Sequence, residues 1–342
     1  MLVKSLLATT AFAVLGVAKS LPSKTLSQLS QGSWLENIAV RPNGDLLVTQ
    51  LVPSAVIYTI KNPTKKPHEL EALVTIPAIQ NIYGIAELPG GSKSTETWIV
   101  VGGNSTSLAH TVEGSFSSWK IELQRDSRCG KTKVTKVSDM SSDSRFLNGV
   151  TEIPGVSGAV LIGDSTNGIV GYLNLKTGEF DDQAFVFPEL APSEGAALPV
   201  GVNGIHIRNG FLYWTNSGSR SIFRVAIAPG GRPAKGAKPE LVIDLSAEAT
   251  FLDDFIFDAD GNIYVTTNFD NSVIFVNVKW RKAKTVVGGL LELTVAGSTS
   301  VAFGRGKHDK DILYVTTGGA LGAPVGGDKT EGGKIVAVDT TA

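Results

Sequence analysis

The chain has 342 residues, 42% hydrophobic and 18% charged, which is enough apolar content to bury a large core and excludes a disordered polymer. Its 31 basic and 32 acidic side chains nearly cancel to a net charge of −1, and no basic cluster is interleaved with aromatics, so no nucleic acid is expected as a partner. Thirty-eight glycines, two methionines and the lack of long Ala, Glu, Lys and Leu runs at helical spacing point to many short strands joined by tight turns.

In chain order, the N-terminus comes first. Lys4 precedes a short apolar run, residues 5–17, and small residues follow near Ala18 and Ser20. That order of charged, apolar and small predicts a signal peptide over residues 1–20, with a secreted mature chain, residues 21–342, forming a single domain. The run is too short to cross a bilayer, and no other stretch is long and apolar enough, so no membrane span is expected. Asn104-Ser105-Thr106 is a glycosylation sequon, consistent with export. Cys129 is the sole cysteine; it sits in a polar run, residues 125–133, that reads as a loop, and the fold cannot rest on an intrachain disulfide.

An internal repeat sets the architecture. Six entry strands begin at Glu36-Asn37-Ile38, Tyr83-Gly84-Ile85, Asn148-Gly149-Val150, Asn203-Gly204-Ile205, Asp253-Asp254-Phe255 and Thr299-Ser300-Val301, spaced by 46 to 65 residues. Second strands rich in β-branched and aromatic residues follow at 45–50, 97–102, 159–164, 211–216, 262–268 and 311–317. Third strands with period-two alternation follow at 55–60, 116–123, 169–175, 221–227, 272–278 and 334–339. Fourth, outer strands are expected at 69–76, 132–140, 184–187, 240–245 and 284–288. The last repeat lacks one, and residues 26–29, ahead of the first entry strand, are available to supply it. The reading is an all-β, six-bladed β-propeller closed by the two chain ends, which leaves no exposed sheet edge.

In a propeller the first strand of each blade lines the channel, so Glu36, Tyr83, Asn148, Asn203, Asp253 and Thr299 are expected to form a ring at one mouth. The oxygen-rich set suits a hard divalent cation, Ca²⁺, Mg²⁺ or Mn²⁺, held by Glu36, Asn148, Asn203 and Asp253; a substrate or a water network would serve the same groups. Taken singly, Asn-Gly and Asp-Asp are also what tight turns use. Trp34, Phe146 and Phe251 lie two residues before ring positions and are expected to collar the polar centre, suiting a mostly hydrophobic small molecule with a polar handle; packing between blades is the alternative. Asp254 is a proton-transfer candidate, because a second carboxyl beside Asp253 resists ionisation. His206 reads as a packed or surface histidine, and His68, His110 and His308 share no ligand-like spacing with it. No nucleophile elbow, phosphate-binding loop or dinucleotide fingerprint is present.

The motifs Leu35-Glu36-Asn37-Ile38-Ala39-Val40-Arg41, Phe146-Leu147-Asn148-Gly149, Gly201-Val202-Asn203-Gly204-Ile205 and Asp253-Asp254-Phe255, the last followed by Asp260-Gly261-Asn262, together resemble the senescence-marker-protein/gluconolactonase-like propellers, nearest to their exported fungal branch. In that superfamily's lactonases, the resemblance implies, Glu36, Asn148, Asn203 and Asp253 hold a divalent ion and Asp253 also transfers a proton. Glu36 is followed here by Asn37-Ile38 where Gly-Pro is usual, and Asp253 by Asp254 where Gly is usual, which sets the chain apart from lactone hydrolysis. The fungal branch includes hetero-Diels–Alderases that join a tropolone-derived quinone methide to a humulene-type sesquiterpene, a reaction that requires no cofactor. By that resemblance Tyr83, Thr299, Asn148 and Asn203 bond the tropolone oxygens while Trp34, Phe146 and Phe251 enclose the terpene. A metal-dependent lactone or ester hydrolase and a non-catalytic ligand-binding propeller are the alternatives.

Overall fold

The computed structural model describes residues 20–342 except 91, 93, 109, 125–131 and 197. The expected signal peptide, apart from its last residue, and Cys129 lie outside the described residues. Six four-stranded antiparallel sheets follow one another along the chain. Blade 1 runs Trp34–Val40, Leu46–Val52, Val56–Ile60 and Glu71–Thr75, and blade 2 runs Asn81–Leu88, Thr95–Gly103, Ser117–Gln124 and Lys133–Asp139. Blades 3 and 4 start with Leu147–Ile153 and Val202–Arg208, and blade 5 with the short Phe255–Phe257. Blade 6 is Ser298–Phe303, Ile312–Thr317 and Lys334–Asp339, completed by Ser23–Gln28 from the other end of the chain. Thr25 there pairs with Val336 and Ser23 with Val338, so the ring is closed as the repeat requires. The closing strand is Ser23–Gln28, overlapping the expected 26–29, and the Leu29 N–H just beyond it still donates to the Gly333 carbonyl at 2.9 Å.

Alternating apolar residues bury the sheet faces against one another. Clusters such as Ile82, Ile85, Trp98 and Ile121 with Leu47 and Ile57 join blade 2 to blade 1, and Ile205, Leu212 and Trp214 with Leu161 and Val170 join blade 4 to blade 3. Burial of this kind contributes about 1.5–3 kcal/mol per large aliphatic side chain.

The inner strands break their own alternation at one place. Leu35 pairs with Gln50 but Ile38 with Val48, Ile82 with Gly102 but Ile85 with Val100, Leu147 with Asp164 but Val150 with Ile162, and Val202 with Asn216 but Ile205 with Trp214. Two residues therefore oppose one in four blades, the pattern of a β-bulge, and the pairs are Glu36-Asn37, Tyr83-Gly84, Asn148-Gly149 and Asn203-Gly204. The Asn-Gly pairs are strand bulges, not turns. In blades 2 and 3 crowding demands glycine at the second position: a Cβ on Gly84 would lie 2.2 Å from the Asn148 carbonyl oxygen, and one on Gly149 2.3 Å from that of Asn203. Second-strand threonines latch the bulges to the next blade. Thr49 Oγ1 accepts from Asn37 N (2.9 Å) and donates to Tyr83 O (3.0 Å), and Thr215 Oγ1 accepts from Gly204 N (3.0 Å) and donates to Asp253 O (2.6 Å).

Candidate functional site

At one mouth of the channel the bulges aim the first residue of each pair into a cavity of about 250 Å³. Its floor is Glu36, Tyr83, Asn148, Asn203 and Asp253, five of the six expected ring residues, and its wall includes Trp34, Phe146 and Phe251, the whole expected collar. Thr299 is the exception. Its hydroxyl donates to Leu35 O at 2.8 Å, so it ties blade 6 to blade 1 and does not line the cavity.

Hydrogen bonds fix each floor carboxyl and carboxamide. Trp34 Nε1 donates to Glu36 Oε2 at 2.5 Å, Asn268 Nδ2 to Asp253 Oδ2 at 2.7 Å, Asn148 Nδ2 to Asn203 Oδ1 at 2.8 Å, and Asn203 Nδ2 to Ser217 Oγ at 3.1 Å. Glu36 and Asp253 are buried at 7% and 5% exposure, which decides their charge state. Loss of water pushes the Glu36 carboxyl up to about 7 against the pull of the Trp34 N–H, with the Asp254 charge adding to the rise. Burial, and then repulsion from Glu36, hold Asp253 well above the usual aspartate range despite the Asn268 hydrogen bond. Burial and the neighbouring Glu36 also raise Tyr83, so its phenol keeps its proton.

The collar is packed. Tyr83 meets Phe146 edge-on at 5.2 Å, and Phe251 meets Phe269 at 4.6 Å between ring centroids. Several lining residues carried no sequence signal that marked them. Leu198 and Val200 arrive on the connection between blades 3 and 4, which Trp214 Nε1 and Asn216 Nδ2 anchor by donating to Glu189 O at 3.0 and 3.1 Å. Asn268 and Phe269 follow the second strand of blade 5 at the ring end, a position the repeat phase does mark. Asn104 stands at this same mouth, half-buried, with its Oδ1 accepting from Gln80 N at 3.1 Å.

Asp254 is not in this cavity. It faces the other end of the channel, where it lines a second cavity of about 390 Å³ with Asn37 and His206. Ser300 Oγ (2.8 Å), Asn37 Nδ2 (3.3 Å) and the backbone N of the next residue, Phe255 (2.8 Å), all donate to its carboxylate, and His206 Nε2 lies 3.3 Å away. Proton transfer in the upper cavity is therefore not open to Asp254; it fastens blades 1, 4, 5 and 6 across the axis. Its position explains the departure from glycine: Gly204, from the neighbouring blade, gives way, since a Cβ there would lie 2.2 Å from Asp254 Oδ1.

The floor's chemistry fits a hard divalent ion in part. Two carboxyls resisting ionisation are relieved by a cation as by protons, but one oxygen each of Glu36, Asp253 and Asn203 already accepts from an N–H of this chain. Among the described residues, no three His, Cys, Asp or Glu side chains are grouped to share a metal.

No family model matches the chain. A Phoma sp protein named "Putative hetero-Diels-Alderase" is 30% identical to it over 313 residues, 86% of each chain. A second protein of that name, from Sarocladium schorii, is 28% identical over 353 residues, covering 94% of this chain and 84% of its own. Among solved structures, a luciferin-regenerating enzyme superposes with a TM-score of 0.64 at 15% identity, over 94% of this chain and 96% of its own. Regucalcin from Agrobacterium tumefaciens, a calcium-binding protein, gives 0.60 at 14% identity over 93% of each. At those identities the likeness is one of fold.

Proposed function

The chain belongs to the family of these Phoma and Sarocladium schorii proteins named as hetero-Diels-Alderases, and from that premise we propose that it is a pericyclase working in the upper cavity. Its reaction joins a tropolone-derived quinone methide to a humulene-type sesquiterpene in secondary metabolism. The observation that carries the proposal is the pairing of two buried carboxyls, Glu36 and Asp253, both raised by loss of water, with an aromatic collar.

In such a cycloaddition the four atoms of the C=C–C=O unit and the two alkene carbons close a dihydropyran. One C–C and one C–O σ bond form, three π bonds are replaced by one, and nothing leaves. No nucleophile is needed. The protein gains rate by holding the partners in reacting geometry and by donating hydrogen bonds to the heterodiene oxygen, where negative charge grows. Protonated Glu36 and Asp253 and the Tyr83 phenol are the donors, and Trp34, Phe146 and Phe251 enclose the hydrocarbon. Asn148 and Asn203 hold the tropolone oxygens. No cofactor takes part.

The test is to incubate the purified chain with a quinone methide generated in situ and humulene. Faster formation of a single stereoisomer than in buffer, retained with chelator and lost in Asp253→Ala, supports the proposal; a stereorandom product at the buffer rate refutes it. The raised carboxyls favour one second reading, a divalent-metal lactone or ester hydrolase. There Glu36, Asn148, Asn203 and Asp253 would hold Ca²⁺, Mg²⁺ or Mn²⁺, which supplies polarisation of the ester carbonyl, and Asp253 would hold the proton to be moved. Lactone turnover that chelator abolishes and Ca²⁺ restores would select it. Export of the chain and glycosylation at Asn104 belong to the proposal as well, with support from the N-terminal run and the sequon.

A further inference from the structure

Beside the upper cavity lies a groove of about 260 Å³, and we propose that it is where the hydrocarbon reactant lands before it reaches the collar. The inference rests on the cycloaddition reading and adds to it a division of the site between the two reactants.

The groove is walled by Phe269, Asn271, Leu290, Leu291, Ala323 and Pro324, with glycines completing it, and carries no charged side chain. Phe269 belongs to both spaces. One side of its environment is the groove, while its ring packs on Phe251 inside the cavity. Gly322 sits between Phe269 and Trp34, and a Cβ there would lie 3.1 Å from the first ring and 3.3 Å from the second. An apolar surface thus runs unbroken from Leu290 and Leu291 over Phe269 to Phe251 and Trp34, and ends at the carboxyl floor.

Leu290 and Leu291 are 63% and 75% exposed, and isolated exposed leucines mean little. These two are adjacent and are held out by a fastened backbone. Asn271 Nδ2 donates to Leu290 O at 3.2 Å, Gly289 N to Asn271 O at 3.0 Å, and Glu292 N to Gly289 O at 2.9 Å. A fixed, exposed apolar pair of this kind offers an apolar ligand a place to dock. Continuity with the cavity selects the occupant. A charged peptide or an anionic surface finds no partner on these walls, whereas an unfunctionalised hydrocarbon needs none. The oxygenated reactant occupies the polar floor, the hydrocarbon closes over it from the groove, and the two bind in that order.

Two ligands separate this assignment from the reading beneath it. Affinities of the full chain for humulene and for unsubstituted tropolone are measured by competition with a fluorescent naphthylamine and by titration calorimetry, for the wild type and for Leu290→Ser/Leu291→Ser. Both side chains are exposed, so the pair of substitutions leaves the core alone. Humulene affinity is expected to fall about tenfold, with tropolone affinity within twofold of wild type. An unchanged humulene affinity beside normal tropolone binding overturns the groove and leaves the cycloaddition reading standing. A wild type that binds neither ligand overturns both. A wild-type dimer that the double variant dissociates would make the patch a contact between copies, and phosphatidylcholine vesicles that pellet the wild type but not the variant would make it a lipid contact; either result overturns the assignment.

Discussion

Replacing Glu36 by Gln tests the electrostatics of the site directly. The folded state holds the Glu36 proton up to about 7, against a usual value of 4.5. A raised carboxyl binds its proton more tightly folded than unfolded, so the stability it contributes is fully present below 4.5 and is lost as the pH rises through about 7. A gap of that size is worth about 3 kcal/mol, which the ionised form forfeits at pH 8. Glutamine keeps an oxygen for the Trp34 N–H and removes the charge. Glu36→Gln is therefore expected to match the wild type at pH 4.5 and to exceed it by about 3 kcal/mol at pH 8. The assay is urea denaturation followed by tryptophan fluorescence from pH 4.5 to 8, in chelator. A wild type whose stability holds or climbs over that interval, or a variant weaker than wild type at pH 8, would refute the reasoning. Repeating the series with Ca²⁺ adds a branch: a pH 8 gain seen only in the wild type would show the ion doing the proton's work.

Three further outcomes are expected. Removing residues 21–28 strips the closing strand and the partly buried Leu21 and Leu26, and a loss of about 3 kcal/mol should appear as a lower melting temperature of the whole domain; an unchanged value would mean that the ring closes without it. Asp254→Ala leaves the Asn37 Nδ2 without its acceptor and Ser300 with only Asn37 Oδ1, 3.2 Å away, and should cost about 1–3 kcal/mol, while humulene and tropolone still bind the upper cavity, a pair of readouts for calorimetry. Phe251→Ala should weaken humulene binding about tenfold through lost burial, with little change for tropolone; equal losses for both ligands would contradict the collar's role.

The blades were legible because each repeats the same alternation, and burial of one apolar face against the neighbouring blade enforces it. The ring was legible in phase. Thr299 departs from it, and Asp254 from the proton-transfer role expected of it, for local causes. In blade 5 the ladder begins only at Phe255, so Asp253 and Asp254 precede it and the chain sends one carboxyl to each end of the channel. In blade 6 the hydroxyl of Thr299 is short and finds the Leu35 carbonyl of the adjoining blade before it reaches the cavity. The Asn-Gly pairs carried two meanings that period-two counting cannot separate, since a bulge interrupts the period at that very step. Leu198, Val200 and Leu321 were out of reach for another reason: they stand on long connections whose course is set by contacts such as Trp214 to Glu189, between residues 25 apart.

Asp253 and Asp254, adjacent in sequence, separate the structural from the chemical use of a carboxyl. Asp254 is buried among donors from several blades, and as a clasp its burial is compensated. Asp253 has only the carboxamides of Asn268 and Asn203 against the loss of water and the proximity of Glu36, and they do not offset them. Blades 3 and 4 fill the equivalent positions with Asn148 and Asn203, which make the same kind of hydrogen bond without a charge. Hydrogen bonding alone would thus be met at lower cost by two more carboxamides. A pair of carboxyls that opposes folding at neutral pH makes physical sense where an O–H donor or a displaceable proton is wanted against an organic reactant, and the apolar collar above them sustains both the proton and the reactant by the same exclusion of water.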